Sequence, residues 1–176
     1  SLAGIVATQI FWVKKAIDLK EQQFNHRAYV ALKSVSDRLI QDSKYRVQLD
    51  GINKKASNYY TLDFSSPVNV TLLENYLLIE SKNQNLNADF EYGIFECTTD
   101  SFYFGRYVNI KKPGEVERVH IKAKPNENYY IGILFPKKKT YLQDDLKLLT
   151  FFSCVLLVVI GFFTYTILVI LKQKKL

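Results

Sequence analysis

Hydrophobic positions follow three patterns along this chain, and the simplest lies at its end. From Leu148 to Leu171 no side chain is charged, and a helix of that length reaches about 36 Å, against roughly 30 Å for a bilayer's hydrocarbon core. This stretch is predicted to be a transmembrane helix. Residues 1–13, SLAGIVATQIFWV, are also uncharged but shorter than the roughly 17 to 25 residues a span needs. We read them as the end of a truncated first transmembrane helix. The rival readings are a cleaved signal, for which the small-residue cleavage site is missing, and a peripheral anchor. The chain contains no methionine, so further residues are expected ahead of Ser1.

The second pattern has a helical period. Ile17, Phe24, Ala28, Ala31, Val35 and Leu39 are separated by three, four or seven, with Lys20, Arg27, Lys33 and Arg38 between them, which predicts an amphipathic helix with one buried stripe. Ile5 through Asp50 holds neither proline nor glycine, so that helix is expected to leave the first span as a single rod. The third pattern alternates. YRVQLD and YYTLDF read as strands around a turn-forming GINKKASN, and ADFEYGIFEC, SFYFGRYV and NYYIGILF read as three more. Between them Ser65 or Ser66 is expected to cap a helix begun by Pro67, with Leu72, Leu73, Tyr76, Leu77 and Ile79 as its apolar face. Pro113-Gly114 and Pro125-Asn126 bracket a further short strand, RVHIKA. The expected fold class is α+β, a long N-terminal helix and an antiparallel sheet of the PAS-like extracytoplasmic sensor kind, between two transmembrane helices.

Composition adds limits. There are 24 Lys and Arg against 17 Asp and Glu, a formal charge of +7, but the excess is dispersed and no nucleic-acid-binding motif accompanies it, so no nucleic-acid partner is expected. Lysines flank both ends of the apolar run, at 137–139 with 147 and at 172, 174 and 175, and orientation by the positive-inside rule nearly cancels. Lys137, Lys138 and Lys139 read as residues of the membrane interface, with binding of an acidic lipid or another ligand as the alternative. Cys97 stands alone in the soluble region and Cys154 in the span, which excludes a disulfide framework within the domain.

Candidate chemistry is sparse. His26 and His120 are the only histidines, and neither has partners at metal-ligand spacing, so no metal site is expected. No nucleophile elbow, phosphate loop or dinucleotide fingerprint occurs, and no catalytic residue is expected. Asn69-Val70-Thr71 forms a glycosylation sequon that reads as a chance occurrence. Aromatic residues carry more information: Phe90, Tyr92, Phe95, Phe102, Tyr103, Phe104, Tyr107, Tyr129 and Tyr130 crowd three strands. Alternation sends Phe90, Tyr92 and Ile94 to one face and Glu91 and Phe95 to the other. Such a set ordinarily builds a core with a dimer face or helix-covered face; the alternative is an aromatic-lined ligand pocket, with Tyr92, Phe102 and Phe104 as its candidate residues.

Four stretches, QIFWVKKAIDLKEQQFNHRAYVALKSVSDRL, FEYGIFECTTDSFYFGRYV, YYIGILFPKKKTYL and FFTYTILVILKQKKL, together resemble the N-terminal sensor region of Bacteroidetes two-component membrane sensor histidine kinases. The resemblance covers nearly the whole chain, with residues 51–87 least distinctive, and ILKQKKL corresponds to the family's cytoplasmic exit from the second span. It implies an extracytoplasmic signal-sensing and transmembrane signalling region in the bacterial inner membrane, with its domain in the periplasm. It further implies a homodimer in contact with membrane lipid, an unidentified stimulus, and a response regulator reached through a cytoplasmic half. That half would be an ATP-dependent protein histidine kinase using ATP and Mg; the phosphoaccepting histidine and the ATP-binding motifs are not in this chain, and no cofactor is expected in it. The triple lysine departs from the family's asparagine-containing version.

The layout expected from these readings is the end of a first span at 1–13, a membrane-proximal helix at 14–44 and an α+β sensor domain at 45–136. A juxtamembrane helix at 137–147, a second span at 148–171 and a cytoplasmic stub at 172–176 complete it. Two other outputs compete: a membrane-tethered interaction or adaptor protein without a kinase, and a sensor coupled to a cyclase or chemoreceptor module.

Overall fold

The computed structural model describes residues 2–42, 51–64, 69–112, 114 and 128–174. Its elements are α1 (Leu2–Asp42), β1 (Ile52–Ala56), β2 (Tyr59–Phe64), α2 (Val70–Asn83), β3 (Phe90–Glu96), β4 (Phe102–Val108), β5 (Tyr129–Leu134) and α3 (Lys138–Gln173). The fold is α+β, with a long N-terminal helix and a five-stranded antiparallel sheet. The chain divides into two units, Gln23–Lys138 and Ser1–Gln22 with Lys139–Leu176. The expected strand YRVQLD, the Ser65–Pro67 helix start, the strand RVHIKA and His120 lie outside the described residues.

In the Gln23–Lys138 unit the strand order is β1-β2-β5-β3-β4. Two hairpins, β1–β2 and β3–β4, flank the last strand, which pairs antiparallel on both sides: Leu62 opposes Ile131 and Ile94 opposes Ile131 from the other edge. Strand alternation then sorts the side chains. Tyr60, Leu62 and Phe64 of β2, Phe90, Tyr92 and Ile94 of β3, and Tyr129, Ile131 and Ile133 of β5 are all buried. The helices cover this face. On α1 the residues Phe24, Ala28, Ala31, Leu32, Val35 and Leu39, at steps of three, four and one, are buried, each large one contributing about 1.5–3 kcal/mol. Phe135, just past β5, meets Phe24, Tyr60 and Phe90 edge-on at 5.2, 6.0 and 6.5 Å between ring centroids, the geometry that aromatic quadrupoles favour.

Two expectations are corrected here. The stretch read as a turn, GINKKASN, contains β1, an edge strand that is mostly exposed and pairs with β2 through Ile52–Leu62 and Lys54–Tyr60. Among the described residues it is an outermost strand, and its lysines suit an exposed edge, so its composition is polar rather than alternating. On α2 the N-cap is Asn69, whose side chain accepts from the Thr71 and Leu72 amides at 3.0 and 3.3 Å. The buried face is Val70, Leu73, Glu74, Leu77, Leu78 and Ser81, with Ile79 exposed. The helix ends in a Schellman turn: Leu86 N donates to Ser81 O, Asn85 N to Lys82 O, and Asn85 takes the positive φ of 52°. Arg38 of α1 joins α2 through Glu80, Nε to Oε1 at 2.8 Å, and lies over the Tyr76 ring.

In the other unit, Leu146–Gln173 of α3 is long and apolar enough to cross a membrane, with a mean hydropathy of 2.8; among the described residues no second helix meets that measure. Its threonine hydroxyls turn back on the backbone four residues earlier: Thr150 to Leu146 O, Thr164 to Ile160 O and Thr166 to Phe162 O. Thr8 of α1 does the same to Gly4 O, and Ser153 Oγ donates to Gln9 Oε1 at 3.2 Å.

Candidate functional site

Within the core between α2 and the sheet sits a polar cluster. Glu74 is only 1% exposed, placed inward because it neighbours Leu73 and Leu77 on the buried face of α2. Its Oε2 accepts from the Tyr92 hydroxyl at 2.7 Å, and its Oε1 stands 3.6 Å from Arg106 Nη1. That separation is an ion-pair distance beyond hydrogen-bond reach, and Nη1 is buried with no hydrogen bond among the described residues. Burial first, and then the Glu74 carboxylate, push the Tyr92 hydroxyl well above its ordinary 10, so it remains a donor at any physiological pH. The Arg106 guanidinium rests against Gly114, where an added Cβ would come within 3.0 Å of Nη2. One carboxylate thus ties α2 to both β3 and β4, and losing either partner leaves a buried charge poorly compensated.

The three aromatic residues singled out from the sequence separate. Tyr92 and Phe104 share the cluster's neighbourhood, with ring centroids 6.1 Å apart. Phe102 is 64% exposed and lies on the opposite face, because the β3–β4 register shifts after Ile94 and sets Phe102 against Phe95. That opposite face has its own organisation. Gly105, Gly93 and Gly132 are register partners across β4, β3 and β5, and aromatic rings lie over them. A Cβ on Gly93 would meet the Phe95 ring at 2.8 Å, one on Gly105 the Phe102 ring at 2.8 Å, and one on Gly132 the Tyr59 ring. Phe95 stacks on Tyr130 at 4.9 Å and 12°, and the Tyr130 hydroxyl donates to Asp100. Burial, then that carboxylate, raises the Tyr130 hydroxyl far above its usual value.

A third polar group gathers where the sheet hands over to α3. Lys138, the first residue of that helix, is buried; its Nζ donates to Ser57 O at 2.6 Å and Asn25 Oδ1 at 3.0 Å and lies 5.2 Å from the Phe24 ring. Asn25 Oδ1 also accepts from Tyr60, so one side-chain amide joins α1, β2 and the start of α3. Lys137 is exposed and reaches Asp89 at 3.5 Å and the Tyr107 hydroxyl at 3.1 Å. Burial alone would raise the Asp89 carboxyl, but hydrogen bonds from Tyr107 and the Ile110 amide, with the charge of Lys137, outweigh it and hold the group below the ordinary 3.8. The triple lysine is therefore three different residues, and only Lys139 stands in the helical unit.

Each of these groups joins neighbouring elements through hydrogen bonds and ion pairs. Glu74 is engaged on both oxygens, and among the described residues no three His, Cys, Asp or Glu side chains gather as metal ligands. His26 is exposed on α1. Glu74 and Arg106 are residues a reading of the sequence passes over, since nothing in their neighbours sets them apart from solvated charges, and Lys138, read as an interfacial lysine, is instead buried. No protein-family model, curated protein or solved structure matches the chain.

Proposed function

We propose that this chain is the extracytoplasmic signal-sensing and transmembrane region of a two-component sensor histidine kinase. In this reading it sits in the bacterial inner membrane with its α+β domain, PAS-like in kind, in the periplasm, crosses the membrane at both helical ends, and works as a homodimer. The observation that carries the reading is the route of the chain: β5, the strand paired on both edges, passes through Phe135 and the buried Lys138 directly into the helix that holds the apolar stretch. A displacement of the sheet's central strand would then be delivered to the membrane helix across a turn of only three residues, 135–137, the short connection that coupling between two conformational states favours.

The membrane part of the proposal has separate support. In the apolar stretches the hydroxyls of Thr8, Thr150, Thr164 and Thr166 bond inside their own helix and that of Ser153 bonds to Gln9, which meets the demand that lipid places on polar groups. Kinase output would come from residues beyond Leu176, using ATP and Mg, and would pass phosphate to a response regulator. The test is to read the coding sequence onward from Leu176. A continuing frame that soon encodes a histidine followed by an acidic residue is expected; an immediate stop codon overturns the kinase and leaves a tethered binding protein.

A further inference from the structure

Within the helical unit, Val13, Ile17 and Glu21 of α1 face Lys139, Leu142, Leu146, Phe151 and other residues of α3 across an open cavity of about 690 Å³, a size that holds a small ligand. The two helices run past each other in opposite senses, so the cavity is graded. Val13, Phe151 and Cys154 line one end and Glu21, Lys139 and Gln143 the other, with Ile17 and Leu146 between. Lys147 also reaches the lining and is paired with Asp144 at 2.6 Å; both it and Lys139 are exposed.

We propose that this cavity binds one anionic phospholipid, its acyl chain between Ile17, Leu146 and Phe151 and its phosphate at Lys139. The proposal rests on the membrane reading above. An apolar slot of this kind would be filled by any acyl chain; at its polar end Lys139 and Lys147 outnumber the Glu21 carboxylate, and that excess of positive charge selects the headgroup. A single lysine's attraction corresponds to about fivefold in binding.

Native mass spectrometry of the full chain, taken from vesicles of phosphatidylcholine with a minor fraction of phosphatidylglycerol, reads the bound lipid directly. One retained phosphatidylglycerol, enriched about fivefold over its share of the vesicle, is expected. Lys139→Glu should abolish the enrichment while a lipid is still retained, and Leu146→Trp should expel lipid of both kinds. Retention in the bulk ratio, or retention indifferent to Leu146→Trp, overturns the proposal. So do dimers cross-linked through Cys154 that carry no lipid, because a second copy then fills the slot. Carbonate extraction separates the two levels: a chain extracted from the vesicles fails the membrane reading itself, while an embedded chain without lipid preference fails only the cavity.

Discussion

Lys138 occupies a position that the residues around it disguise. Lys137, Lys138 and Lys139 look alike in the sequence and read together as interfacial lysines, yet the middle one is 4% exposed and holds Ser57 O and Asn25. The distinction comes from where Phe135 is seated, a long-range fact that a run of three identical residues does not encode. Replacing it with methionine keeps the apolar stem but removes the donor, and Lys138→Met is expected to cost about 1–3 kcal/mol in chemical unfolding of the detergent-solubilised chain. Lys139→Met should fall within about 0.5 kcal/mol of the parent. Asp89 offers a pH test with a definite sign. Its folded pKa lies below the ordinary 3.8, so its contribution is complete above that value and is lost as pH falls through the lower folded value. Asp89→Asn should therefore lower stability at neutral pH and flatten the loss of stability below about pH 4; an unchanged acid limb in the unfolding midpoint would count against the Asp89–Tyr107–Lys137 contact.

Among the elements, the strands that alternate were legible and the ones that do not were missed. The buried face of β3 follows from period two alone, and the stripe on α1 from Phe24 to Leu39 follows from period 3.6. β1 was not legible because an exposed edge strand needs no apolar alternation, and the cap of α2 was not legible at Asn69, whose amide oxygen accepts from the first turn, because Ser65, Ser66 and Pro67 are the stronger sequence signal. The sheet's second face carried a signal that the sequence displays openly: EYGIF, YFGRY and YIGIL each place one glycine among aromatic and aliphatic residues, and glycine inside a strand marks a close approach. What the sequence hides is that the three glycines come into register. Gly105→Ala would drive a methyl against the Phe102 ring at 2.8 Å and the Tyr92 carbonyl at 3.0 Å, and a loss of about 1–3 kcal/mol is expected. Adding Phe102→Ala should recover part of that loss, because the ring contact is then gone; strict additivity of the two substitutions would show that the ring does not lie on Gly105.

For the whole molecule, the chain's two cysteines report on its disposition. Cys97 is exposed in the turn between β3 and β4, and Cys154 lies inside the apolar stretch of α3. In intact bacterial cells with a permeable outer membrane, an impermeant maleimide is expected to label Cys97 and spare Cys154. Labelling of Cys97 only after the inner membrane is broken would reverse the proposed orientation, and equal labelling of both would remove the span. The sheet's strand order has a further consequence, one of timing. The strand that completes the sheet is the last to be translated, so the β1–β2 and β3–β4 ribbons wait with open inner edges until Tyr129–Leu134 emerges. Only residues 135–145 separate that strand from the apolar stretch beginning at Leu146, on the order of a second of synthesis. In the proposed membrane reading, the strand that completes the sheet and the helix delivered to the insertion machinery therefore leave the ribosome in one brief window, and whatever delays the one leaves the other exposed to aggregation.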